Sequence, residues 1–151
     1  MELAIQTRDL SRSFHDFQAV KAVNLEVEQG TFYGFLGPNG AGKSTTIKML
    51  TGLLAPSAGQ LRVLGMNPLD ATESIALKKR IGVVPEDLAL FDNLTAREHL
   101  TFIGRMHLME KSVMQGRIDE LLGMMSLDEE EAKLTVEYSH GMKKKLSLAA
   151  A

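Results

Sequence analysis

The sequence contains no cysteine, which excludes disulfide bonds, thiol nucleophiles and cysteine-based zinc sites. No apolar run approaches the ~20 residues that a membrane-spanning helix needs. The first ten residues, MELAIQTRDL, carry acids and lack the apolar centre of a signal peptide. The 17 basic residues are outnumbered by 19 acidic ones, so the chain has no overall positive field for nucleic acid. These absences favour a soluble cytosolic domain without a nucleic-acid partner.

The composition is otherwise that of an ordinary globular domain, with 151 residues of which 44% are hydrophobic and 24% charged. Alternating or short apolar runs predict strands over Leu3–Leu10, Val23–Val27, Thr31–Leu36, Gln60–Leu64 and Ile81–Val84. Helical spacing predicts one helix through Ile47 and Leu54, a short helix over 74–80, and two helices between 95 and 126. Strands followed by a helical block indicate an α/β core with a helical insertion.

The predicted helical block has a clear start and an apolar face. Thr95 and Glu98 have the spacing of a capping box, so the first helix is predicted to begin there. We expect the apolar face to bury most of the area of seven side chains: Leu100, Ile103, Met106, Ile118, Leu121, Leu122 and Met125.

Residues Gly37–Ser44 read GPNGAGKS and match the phosphate-loop pattern G-x-x-x-x-G-K-[ST] without a mismatch. Glycines allow positive φ and turn backbone N–H groups inward, while the helix that follows adds free N–H groups and its positive dipole end. Lys43 can reach the β- and γ-phosphates, and the Ser44 hydroxyl can bind Mg²⁺. A plain glycine-rich turn is the alternative. The position between a predicted strand and a predicted helix favours nucleotide binding.

The motif is shared by GTPases, kinases, motors and transporter ATPases, so further residues are needed to choose. The strings N-K-x-D and D-x-x-G of a GTPase are absent, and no acceptor site or lid of a small kinase is found. Over its whole length the chain resembles the nucleotide-binding domain of ABC transporters, most closely members that pair with separate ABC-2-type permeases. Five segments carry the resemblance in family order: SFHDFQAVKAVNLEVEQG (13–30), GPNGAGKST (37–45), IGVVPED (81–87), LTAREHLTFIGRMHLM (94–109) and YSHGMKKKLSLA (138–149).

The resemblance implies a P-loop NTPase core of the ABC ATPase type, with an antiparallel β subdomain at the N-terminus and an inserted α-helical subdomain. Residues 1–93 would hold the β subdomain and part of the core, and 94–151 the helical subdomain and the signature helix. The family continues with a strand ending in Asp, a catalytic Glu and a later His, none of which has a match up to Ala151. We therefore expect an N-terminal portion of a longer domain, with the C-terminal part of the core missing.

The resemblance also implies the base and phosphate contacts. Phe14 matches the aromatic residue that stacks on adenine, with a core aromatic as the alternative, and Val20 matches an apolar contact beside the base. The phosphates would be held by Gly37, Pro38, Asn39, Gly40, Ala41, Gly42, Lys43, Ser44 and Thr45. The predicted metal ligands are Ser44 and Glu86, which replaces the family's Q-loop glutamine and has a solvated turn acid as its alternative.

The signature motif is a variant, with Tyr138-Ser139-His140-Gly141-Met142 where many relatives have Leu-Ser-Gly-Gly-Gln. The resemblance implies that four of these residues reach the ATP held by a second copy of the domain: Ser139, His140, Gly141 and Met142. A plain helix cap is the alternative for this segment.

By resemblance, the function is that of the ATP-binding subunit of an ABC transporter. The full-length parent would hydrolyse ATP in a head-to-tail dimer and drive transport through a membrane permease, on the cytoplasmic face of the membrane. The 151 residues would bind ATP and Mg²⁺ without hydrolysis, because the catalytic Glu has no match. A nucleotide-binding switch or scaffold that never hydrolyses ATP is the alternative.

Overall fold

A computed structural model describes residues 2–151 and divides the chain into two compact units, the first ending at Ile81 and the second running Gly82–Ala151. The described residues form these elements in order: β1 (Leu3–Phe14), β2 (Phe17–Glu28), α1 (Lys43–Leu50), β3 (Ala58–Val63), α2 (Ala71–Lys78), α3 (Ala96–Met106), α4 (Lys111–Met124) and α5 (His140–Ala150). Short 3₁₀ turns lie at Asp128–Glu130 and Thr135–Glu137. Across residues 2–151, each helix is too short or too polar to span a bilayer.

The first unit contains an antiparallel sheet with strand order β2-β1-β3. β1 and β2 form a hairpin that closes where Phe14 pairs with Phe17. Both strands extend beyond their predicted bounds, because bulges near Asp9 and Ala22, each with positive φ, interrupt the alternation without ending the ladder. The predicted antiparallel β subdomain is confirmed.

The core of the first unit forms where helices α1 and α2 pack on the sheet. Leu10 of β1, Met49 of α1 and Leu77 of α2 are almost completely buried. Three further strand residues complete this core: Val20, Leu61 and Val63. The helix predicted after the phosphate loop therefore packs on the sheet, and its first residue, Lys43, marks the end of the non-helical part of the loop.

The second unit is helical, and its first helix begins as predicted. The Glu98 N–H donates to Thr95 Oγ1 at 3.3 Å, and the Thr95 N–H donates to Glu98 Oε2 at 2.9 Å, which is a complete capping box. The core of this unit is built from α3, α4, α5 and the turn between the last two. Its large buried aliphatic side chains are Leu100, Met114, Ile118, Leu122, Leu127 and Leu146.

Six of the seven side chains predicted to be buried in this block bury most of their surface. Leu100, Ile118 and Leu122 are buried, while Ile103, Leu121 and Met125 are partly buried. The prediction for Met106 is wrong, because this side chain is 68% exposed. Met106 is the last residue of α3, and the elements that bury the middle of the apolar face within residues 2–151 leave this end exposed.

Two polar residues of α3 hold the helical unit together in ways that the sequence analysis missed. Arg97 Nη2 lies 2.8 Å from Asp119 Oδ1 and 2.7 Å from Glu131 Oε2. The hydrogen bond to Glu131, and to a smaller extent that to Asp119, raises the pKa of Arg97. His99 is 1% exposed, its ring centroid lies 5.8 Å from that of Phe91, and burial lowers its pKa. The Arg97 hydrogen bonds join segments that are distant in sequence, whereas Phe91 and His99 are near one another in the chain.

Two predicted strands are wrong. Thr31–Leu36 and Ile81–Val84 are not strands in the structure, and neither segment has a ladder partner within residues 2–151. Phe32 and Leu36 are almost fully exposed. Both segments have the composition of a buried strand, but a strand forms only where a neighbour supplies the hydrogen bonds of the ladder.

Candidate functional site

The phosphate-loop motif forms an exposed loop directly before α1. Gly40 and Gly42 both adopt φ of +83°, a conformation that favours glycine. The Ala41 N–H donates to Pro38 O at 3.2 Å, which tightens the turn. Gly42 is the residue that precedes α1, and no side chain caps this helix. The free N–H groups of the first helical turn therefore remain available to an anion.

Gly42 also lies against strand β2, so its lack of a side chain has a second function. A Cβ atom at this position would lie 2.4 Å from the carbonyl oxygen of Ala19 and 3.0 Å from Val20 Cγ2. Val20 is 4% exposed and belongs to the core of the first unit. The structure thus places Val20 beneath the phosphate loop, where it supports Gly42.

Lys43 points back into the loop and holds its shape. Its Nζ donates to Gly37 O at 2.6 Å and to Pro38 O at 2.8 Å. The positive charge is therefore held on the side of the loop that precedes the helix. An ammonium group forms strong, charge-assisted hydrogen bonds to phosphate oxygens.

The three hydroxyl groups in the first turn of α1 differ in how far they are buried. Ser44 is exposed and Thr45 is partly buried, so both hydroxyls are near the surface of the loop. Thr46 is 1% exposed, and its Oγ1 donates to Gly42 O at 2.9 Å. Thr46 thereby secures the junction between loop and helix, a role that no motif in the sequence indicates.

Phe14 lies at the end of β1, in the same unit as the phosphate loop. Its side chain is 40% exposed, so the alternative of a core aromatic is wrong. The guanidinium carbon of Arg12 lies 4.6 Å from the centroid of the Phe14 ring. An exposed aromatic ring of this kind has a face on which a base can stack.

The remaining predicted site residues lie in the second unit. The Met142 N–H donates to Ser139 Oγ at 3.2 Å, so Ser139 caps α5 as the alternative interpretation described. Ser139, His140 and Gly141 are nevertheless exposed, as is Glu86, which lies in a bend. The structure groups Phe14, Val20 and residues 37–45 in the first unit, and Glu86 with residues 139–142 in the second.

Residues 2–151 contain no cluster of three or more His, Asp or Glu side chains placed to hold a metal ion. A site with few protein donors still fits Mg²⁺, because this ion keeps several waters and binds through few protein ligands together with the phosphates of a substrate. In the first unit, the exposed Ser44 hydroxyl at the start of α1 is placed to be such a ligand.

The sequence of the chain matches a known protein family and individual relatives. The family model described as ABC transporter matches residues 20–151. The chain is 40% identical over 151 residues to the bacitracin transport ATP-binding protein BcrA of Bacillus licheniformis. This match covers 100% of this chain and 48% of BcrA. It is 36% identical over 149 residues to the daunorubicin resistance ATP-binding protein DrrA3 of Streptomyces coeruleorubidus, a match that covers 99% of this chain and 46% of DrrA3. The chain thus spans about half the length of these relatives.

Solved structures give the same result. An ATP-binding subunit of an ABC transporter superposes with a TM-score of 0.85 at 28% identity, over 98% of this chain and 61% of the other. CbiO1 of Clostridium perfringens is described as part of the ABC transporter complex cbiONQ. It superposes with a TM-score of 0.83 at 26% identity, over 99% of this chain and 61% of the other. Both the sequence match and the fold are therefore continuous from the β subdomain to α5, and the chain belongs to the ABC transporter family of ATP-binding proteins.

Proposed function

We propose that the chain binds ATP together with Mg²⁺ on the loop Gly37–Ser44, as the nucleotide-binding portion of an ABC transporter ATPase. The observation that carries the proposal is the position of Lys43. Its ammonium group lies 2.6 Å from Gly37 O and 2.8 Å from Pro38 O, and both carbonyls belong to the loop that precedes the uncapped helix α1. Concentrated donors and positive charge at one loop suit a triphosphate.

Each part of the site has a distinct role in this proposal. Lys43 and the backbone N–H groups of the loop hold the β- and γ-phosphates, with the Thr45 hydroxyl beside them. Ser44 provides the protein ligand to Mg²⁺, which neutralises phosphate charge when it is bound. Phe14 provides the stacking surface for adenine.

The whole protein is proposed to act with two partners. BcrA is named for bacitracin transport and CbiO1 is described as part of a transporter complex, which supports a transmembrane permease as one partner. The second partner is another ATP-binding domain, whose ATP would be contacted by Ser139, His140, Gly141 and Met142 at the exposed start of α5. This arrangement would place the protein on the cytoplasmic face of a membrane and requires no nucleic acid.

Lys43→Ala is expected to weaken the binding of ATP–Mg²⁺ by roughly 10- to 100-fold, because each hydrogen bond to a charged group contributes about 1.5–3 kcal/mol. The measurement is calorimetric titration with ATP–Mg²⁺ and, separately, with tripolyphosphate–Mg²⁺, which should weaken similarly. Lys48→Ala is the matched control, since Lys48 is an exposed lysine of the same helix. Equal affinities of Lys43→Ala and the unmodified chain would refute the phosphate site.

We also propose that the 151 residues alone show no steady ATP turnover. Phosphoryl transfer to water requires a group that orients the attacking water, and nothing in this sequence matches the family's glutamate in that role. Phosphate release at saturating ATP–Mg²⁺ should stay at the rate measured without protein. Turnover that disappears in Glu86→Gln would show instead that this chain carries its own base.

A further inference from the structure

Arg12 contacts the exposed ring of Phe14 and is itself fixed at its other side. Its guanidinium carbon lies 4.6 Å from the ring centroid, within the range of a cation–π contact. Its Nη1 donates to the carbonyl oxygen of Ala55 at 2.8 Å. Arg12 Nε is buried and has no hydrogen-bond partner within residues 2–151. The guanidinium group is therefore held between one carbonyl and one aromatic face.

The segment that holds Arg12 comes directly after the helix of the phosphate loop. Ala55 lies five residues beyond Leu50, the last residue of α1. Further hydrogen bonds at Ser57 fasten this segment to the end of β1. The Ser57 N–H donates to Ser11 O at 2.8 Å, the Ser13 N–H donates to Ser57 Oγ at 3.1 Å, and Ser57 Oγ donates to Ser13 O at 3.5 Å. The strand end that carries Phe14 and the C-terminal side of α1 are thus connected by hydrogen bonds at both Ala55 and Ser57.

We propose that Arg12 is a positioning residue, which holds the Phe14 ring so that a purine base stacks on the ring's other face. The inference rests on the proposed nucleotide site. A planar guanidinium stacks well on an aromatic face, and here it occupies one of the two faces of Phe14. The remaining face is left for the base. Because Ala55 O fixes the guanidinium group, the ring has less rotational freedom to lose when the base arrives.

If Arg12 has this role, replacing it should weaken binding of the base and leave binding of the phosphates unchanged. Arg12→Met keeps a long apolar side chain but removes the cation and the hydrogen bond to Ala55 O. The affinity for ATP–Mg²⁺ should fall about two- to fivefold, which is the range of an exposed cation–π contact. The affinity for tripolyphosphate–Mg²⁺ should not change. Arg12→Lys retains a cation and a donor, so it should restore part of the lost affinity.

A spectroscopic reporter can be placed at the same position, because the chain contains no tryptophan. In the variant Phe14→Trp, the single indole should be quenched by ATP–Mg²⁺ and not by tripolyphosphate–Mg²⁺. Adding Arg12→Met should change the emission of the free protein and reduce the quenching at a given ATP concentration. Arg8→Met is the matched control, since Arg8 is an exposed arginine of the same strand and should leave both readouts unchanged.

The outcomes separate this inference from the proposed function. If Lys43→Ala weakens both ligands while Arg12→Met leaves both unchanged, the phosphate site stands and the inference is overturned. Equal losses for ATP and tripolyphosphate in Arg12→Met would also overturn it, because Arg12 would then support only the fold. If Arg12→Met fails to fold, Arg12→Lys in the Phe14→Trp background gives the answer. A loss of ATP affinity and of quenching with unchanged tripolyphosphate affinity would support the positioning role, whereas equal losses for the two ligands would overturn it. Absence of binding by the unmodified chain would refute the proposed function itself.

Discussion

Gly42→Ala is expected to damage nucleotide binding far more than Gly40→Ala, although both glycines have the same positive φ of +83°. At Gly40 a Cβ atom would meet nothing within 4 Å, so alanine there adds only backbone strain of about 1–3 kcal/mol. At Gly42 the same atom would lie 2.4 Å from a backbone carbonyl of β2, which cannot move without disturbing the sheet. Strain and overpacking together should cost about 2–6 kcal/mol.

The pair is tested by titrating both variants with ATP–Mg²⁺ and by following thermal unfolding of each. We expect Gly42→Ala to lose both ATP affinity and stability, because the loop and strand β2 must separate. Gly40→Ala should lose less of each. If the two variants behave alike, positive φ alone governs the loop, and the close approach of Gly42 to Ala19 has no energetic importance.

Leu122→Ala is expected to destabilise the helical unit by about 2–5 kcal/mol, the usual cost of truncating a fully buried leucine. Leu122 is 1% exposed and lies on α4, in the core formed with α3 and α5. The loss should appear as a lower urea midpoint and as faster amide hydrogen exchange in α4 and α5. The first unit has its own core, so amides of β1 should change less.

Met124→Ala is the matched control for this truncation, because Met124 lies on the same helix and is 68% exposed. It should change stability by no more than about 0.5 kcal/mol. Equal losses in the two variants would mean that α4 does not pack on its Leu122 face in solution.

The sequence predicted the features that depend on local patterns. The phosphate loop was predicted from its spacing alone, since positive φ at Gly40 and Gly42 and a helix starting at Lys43 are local requirements. The capping box at Thr95 is local in the same sense. Periodicity also predicted six of the seven buried side chains in the helical block, and it was wrong only for Met106, at the very end of a helix.

The features that the sequence did not predict depend on partners distant in the chain. Thr31–Leu36 has the composition of a strand, yet no described segment supplies its ladder. Arg97 is held by Asp119 and Glu131, and no pattern within its own helix indicates that pairing. Arg12 meets Ala55, 43 positions further along the chain. Such contacts become visible only when the fold has brought the segments together.

The hydrogen bonds of Lys43 have a thermodynamic consequence. Its ammonium group already has two carbonyl acceptors, so a phosphate oxygen that approaches it must replace them. In the proposed complex with ATP, Lys43 therefore exchanges its hydrogen-bond partners, and we expect the binding enthalpy to be smaller than a count of phosphate contacts indicates. The exchange also favours ligands of high charge density. In the proposed complex a triphosphate supplies several charged oxygens at once, so we expect it to displace the two carbonyls more readily than a single chloride does.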